Sequence, residues 1–174
     1  SNTTGYSNFG LGVNALYSNT SGYNNTSVGT DSLRYNTTGF GNVALGTEAL
    51  TKNTTGRNLV AVGYRALDAN TTGNQNLAMG ADALGSNTTG YSNFGLGVNA
   101  LASNTTGNNN VAIGIDTMRN NSTSVKNVSI GNFALLSNQT GSSNVAIGYE
   151  ALSEGSSPGS NVAIGYQALT SSTT

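Results

Sequence analysis

The chain has 174 residues, a net charge of −1, one Pro and no Cys, His or Trp. Six basic residues scattered among seven acids cannot neutralise a run of phosphates, which argues against nucleic acid as a partner. No apolar run approaches the roughly 18 residues that cross a bilayer, so membrane insertion is not expected, and without Cys no disulfide framework exists.

Abundant Asn, Thr, Ser and Gly could signal disorder, but strict periodic placement of apolar residues overrules that reading. The first unit opens on Asn2-Thr3-Thr4-Gly5, a predicted turn, because Asn and Gly tolerate positive φ and Thr and Asn can bond the local backbone. Asn8 follows, then Phe9-Gly10-Leu11. There Phe9 and Leu11 lie two apart and share one face of a predicted strand. Gly12 closes the strand, and Ala15-Leu16 forms a second short strand or corner. The next Asn, Asn19, restarts the phrase.

The same phrase is repeated ten times. Gly12, Gly29, Gly46, Gly63, Gly80, Gly97, Gly114, Gly131, Gly148 and Gly165 are spaced by 17 residues with no insertion or deletion. A fixed period with no drift implies one unit per turn of a continuous solenoid. The expected fold is therefore an all-β solenoid, a β-roll of ten 17-residue coils, occupying residues 1–174 as a single repeat array. Repeat sequence runs from Ser1 to Thr174 without a polar cap, which suggests a segment of a longer fibre or end-to-end stacking.

Three apolar stripes are expected in the core: the column of Phe9, Val43 and Val60, that of Leu11, Val28 and Leu45, and the Leu column from Leu16 to Leu169. Between the first two lies a column that is never large, including Ala44, Ala61, Ala78, Ala112, Ala146 and Ala163. It is a candidate chain-packing seam, with the alternative that it merely fills a thin interior. Ten invariant glycines imply a structural corner with positive φ or an approach too tight for a Cβ. Coils stacked about 4.8 Å apart would place Asn above Asn in a hydrogen-bonded ladder. Two such ladders are expected, the second broken at Leu59. The Thr-Thr-Gly column relaxes at Ser124 and Pro158, and Pro158 requires a changed turn because proline cannot adopt positive φ.

The phrase Asn110-Val111-Ala112-Ile113-Gly114 resembles the head repeat of trimeric autotransporter adhesins, whose units form a left-handed β-roll. With Ala-Leu and Asn-Thr-Thr-Gly it also resembles repeats of phage-type tail-fibre proteins. The adhesin coils are shorter than 17 residues, so an inserted turn must be accommodated here. The resemblance implies a homotrimer at a cell or virion surface, in adhesion or spacing, with a cell-surface glycan or protein as receptor and no catalysis.

Residue chemistry adds little to that. Without His or Cys, only carboxylates, Lys, Ser, Thr and Tyr remain for catalysis. Asp31 and Glu48 would stack in adjacent coils and imitate a glycosidase pair. The same column holds Asn14, Arg65, Asn99, Phe133 and Gln167, which a solvated edge explains better. No enzyme activity, cofactor or metal is expected. Thr3, Thr20, Thr37, Thr54, Thr71, Thr88 and Thr105 form a rank that could instead bind ice, as regular Thr ranks on flat solenoid faces do. Against ice binding, adjacent Thr residues in a strand point to opposite faces. Asn-x-Thr/Ser at nine turns also matches the glycosylation pattern, and eight Tyr, mostly at variable positions, could stack on sugars or cover apolar surface.

Overall fold

A computed structural model describes residues 2–154 and 159–170. Each unit contributes one three-residue strand: β1 (Phe9–Leu11), β2 (Thr26–Val28), β3 (Val43–Leu45), β4 (Val60–Val62), β5 (Leu77–Met79), β6 (Phe94–Leu96), β7 (Val111–Ile113), β8 (Val128–Ile130), β9 (Val145–Ile147) and β10 (Val162–Ile164). They form one ten-stranded parallel sheet in chain order. Phe9 pairs with Thr26 and Leu11 with Val28, and the register holds without a slip to Val162 against Val145. No helix occurs among the described residues. The chain is a β-solenoid.

The core is narrower than the sequence implies, and the strands face the other way. The small middle residue of each strand points inward: Ala44, Ala61, Ala78, Ala112 and Ala146 are fully buried and Ala163 nearly so. These residues pack with the second Ala column (Ala49, Ala66, Ala83) and with Leu33, Leu50, Leu67, Leu84, Leu101, Met118, Leu135 and Leu152. The small column is thus enclosed within one chain and cannot be a seam between chains. The flanking columns, expected inside, point outward. Leu45, Met79, Leu96 and Ile130 are exposed, and Val43, Val60 and Val111 are half-buried. Ala and Leu already fill the interior, which leaves no room for a second pair of branched side chains.

The Ala-Leu segment is a corner rather than a strand. Leu16, Leu33, Leu50 and the rest of that column take φ between 48° and 55°, a left-handed conformation unusual for leucine. Burial of the side chain and a backbone bond to the next coil, such as Leu33 N–H to Ala49 O at 3.0 Å, hold it there.

Both Asn columns sit inside as ladders. Asn36 Nδ2 donates to Asn19 Oδ1 at 2.8 Å and to Gly39 O at 3.0 Å, and the pattern recurs at Asn53, Asn70, Asn87 and Asn104. In the second column the next coil's backbone N–H donates to each amide oxygen, as from Asn42 to Asn25 at 3.0 Å. Leu59 breaks the ladder on one side only: its N–H donates to Asn42 Oδ1 at 3.0 Å, but its side chain offers no oxygen to the N–H of Asn76. Such partners offset the cost of burying the amides; Asn138 Oδ1 and Asn144 Nδ2 are buried atoms of the ladders that have none among the described residues.

The invariant glycines combine both expected constraints. Gly114 has φ 138°, and a Cβ there would lie 2.6 Å from the carbonyl oxygen of Gly131. The Thr-Thr-Gly glycines differ: positive φ falls two residues later, at positions such as Ser7, Asn24 and Asn109. Space is the constraint here, since a Cβ on Gly56 would approach Gly73 O to 2.6 Å. Ser124 takes this place once, and its hydroxyl accepts from Asn127 Nδ2 at 2.8 Å. Pro158 lies outside the described residues.

Candidate functional surfaces

Three surfaces carry the sequence's candidate chemistry. The first is the turn bearing the Thr rank. The carbonyl oxygen of Thr54 accepts three backbone N–H groups, from Thr37, Thr38 and Gly39 at 3.0–3.2 Å, and also the Thr37 hydroxyl at 3.0 Å. The same side-chain bond joins Thr3, Thr20, Thr54, Thr71, Thr88 and Thr105 each to the coil above. The hydroxyl proton of this rank is therefore engaged within the protein, which weakens it as a water-ordering surface. The neighbouring rank, Thr38, Thr55, Thr72, Thr89 and Thr106, is exposed. Of the nine acceptors in the glycosylation pattern, Asn2 is exposed, while the other eight, such as Asn36, Asn53, Asn70, Asn87 and Asn104, are buried, out of reach of a glycosylating enzyme in the folded chain.

The second surface is the ridge formed two, five and six residues after each invariant glycine. Its charges answer one another. Asp31 lies 3.3 Å from Arg34 and accepts from Asn14 at 2.9 Å. Arg65 stands 3.7 Å from Glu48, from Asp68 and from Asp82, and Lys52 reaches Asp68 at 3.3 Å. Asp116 takes Arg119 at 3.3 Å and Asn99 at 3.0 Å. Asp31 pairs with Arg34, and Glu48 with Arg65. Exposed pairs of this kind contribute about 0–1 kcal/mol each, so their main effect is to neutralise the ridge.

The third surface is the outward face of the sheet. Its two ranks, from Phe9 to Val162 and from Leu11 to Ile164, contain no charged residue. Three residues wide and ten coils long, it covers roughly 10 Å by 45 Å. These ranks are evident in the sequence but were expected in the core, because a period of two states which residues share a face and not which face is inside. Tyr residues are distributed differently. Tyr6, Tyr23 and Phe40 stack at 5.0 and 4.7 Å between centroids, and Arg57 lies 5.7 Å from the Phe40 ring.

These features define a β-solenoid repeat protein whose polar turns are internally bonded and whose sheet face is apolar and open. Comparison with family models, curated proteins and solved structures yields no match.

Proposed function

We propose that this chain is the shaft of a structural and adhesive fibre, a homotrimer on a virion or cell surface, wound left-handed as its resemblance to adhesin heads and tail fibres implies. The observation that supports this reading is the uncharged, outward apolar sheet face. Contiguous exposed apolar patches beyond a few hundred Å² mark interaction surfaces. The occupant that fits best is another copy of the same chain: its rungs repeat at the same spacing, so Val and Ile ranks of parallel copies match rung for rung. Repetition gives the assembly length and multivalency for a glycan or protein receptor rather than a catalytic pocket.

Light scattering tests the assembly. The wild type should have the mass of three chains, and Val60→Lys with Val111→Lys should give monomers with unchanged β circular dichroism, because ammonium groups would be buried between chains. A wild-type monomer overturns the reading. Were that monomer also to show thermal hysteresis, the Thr ranks of the turn would become the functional surface, as the ice-binding alternative requires.

A further inference from the structure

A repeat protein makes its own departures conspicuous. In coils two to seven every carboxylate on the ridge lies within 4 Å of a Lys or Arg. Coils eight and nine abandon this pattern. Phe133 replaces the polar residue two after the invariant glycine, and Leu136 stands where Arg34, Asp68 and Arg119 stand in other coils. The next coil then supplies Glu150 and Glu154, which among the described residues are the two acids without an ion pair. Between the two coils opens a cavity of about 420 Å³, lined by Phe133, Leu136, Ser137, Tyr149, Glu150, Ser153 and Glu154.

The walls are organised. Phe133 meets Tyr149 edge to face, 5.8 Å between centroids, and Tyr149 stacks on Tyr166 at 5.5 Å. Gln167 Nε2 donates to Glu150 Oε2 at 2.7 Å. The Tyr149 hydroxyl bonds Glu150, and that bond together with the carboxylate's charge holds the phenol above its ordinary ionisation range. Glu150 thus has a polar partner in Gln167 while its charge stays uncompensated. Phe133, Leu136, Tyr149, Glu150 and Glu154 lie outside the buried hydrophobic core.

We propose that this cavity binds an organic cation of the alkylammonium class, its charge between Glu150 and Glu154 and its carbon atoms against Phe133, Tyr149 and Leu136. Carboxylates supply the charge complement, and aromatic rings attract a cation through their quadrupole while accommodating its apolar body. An inorganic ion would leave the apolar wall uncovered. A neutral ligand would leave two carboxylates unanswered. A second groove on this ridge lacks this character: its Arg65 and Arg119 are already paired.

The test is an NMR titration of the full chain in whatever assembly it forms, with choline, Nα-acetyl-lysine amide, and 3,3-dimethylbutan-1-ol as choline's uncharged isostere. Choline or the lysine derivative should shift the signals of Phe133, Tyr149 and Glu150. The isostere should bind at least about tenfold more weakly. A response to choline alone would indicate a free or surface-borne quaternary ammonium, and a response to both would admit a partner's lysine side chain. Either result supports the site. Glu150→Gln with Glu154→Gln should weaken binding at least about tenfold, with circular dichroism unchanged. Phe133→Asn, restoring a polar residue common in that column, should weaken it with the carboxylates intact. Equal binding of the isostere, no response to either cation, or binding unaffected by the glutamate changes would overturn the proposal. So would binding of galactose in place of the cations.

Discussion

Single positions in this chain differ sharply in what they tolerate, even when they hold the same residue. Gly114 combines φ 138° with a backbone oxygen 2.6 Å from where a Cβ would stand. Gly114→Ala should therefore cost about 3 kcal/mol or more, read as a lowered midpoint in denaturant. Gly10 is the control. A Cβ there meets its nearest atoms at 3.6 Å, and its φ is ordinary, so Gly10→Ala should be neutral or stabilise by about 0.4–1 kcal/mol. Invariance alone distinguishes the two columns in the sequence. What the sequence could not show is the left-handed leucine corner, because leucine has no local preference for φ near 50° and only the finished coil stack imposes it. Tyr149 offers a titration at the same scale. Its raised pKa comes first from the Glu150 hydrogen bond, so Glu150→Gln should return it toward about 10, followed by NMR of the ring signals. The sign follows: the protonated phenol's contribution to stability is complete below about pH 10 and is lost as pH rises through the higher folded value.

At the scale of the element, the turn matters more than the three-residue strand. Thr71 and Thr72 are adjacent and chemically identical, yet Thr71 donates its hydroxyl to Thr88 O at 3.1 Å while Thr72 is exposed. Thr71→Val should cost about 0.5–1.5 kcal/mol, and Thr72→Val should stay within about 0.5 kcal/mol, in thermal unfolding of the two variants. Similar costs for both would contradict the division of labour between the ranks. Of the turn, the Asn ladder is legible in the sequence, since buried stacked amides have few other solutions than to bond along the stack. The assignment of positive φ is not. The Thr-Thr-Gly glycine reads as a left-handed residue, but the coil needs it for clearance and places the left-handed residue at Asn109 and its equivalents.

The whole molecule turns on which face of the strands is inside. Length, coil number and register follow from a period that never slips, so the spacing of the glycines alone reveals them. The face is hidden from the spacing, because the Ala column between Val and Ile is compatible with either a seam or a lining. The structure makes it a lining, with Ala112 and Ala146 fully buried within one chain. Ala112→Leu with Ala146→Leu should then damage folding. Each substitution overpacks a close-packed interior at about 1–3 kcal/mol, and two coils of separation let the costs add. Against a typical total of about 5–15 kcal/mol, the double variant should unfold tens of degrees earlier or fail to yield soluble β structure. The lysine changes at Val60 and Val111 should do the reverse, altering association and sparing the fold. Circular dichroism and light scattering on both double variants separate the two roles. Dissociation of a well-folded Ala112→Leu, Ala146→Leu protein would put the small column back at a chain boundary and turn the strands around.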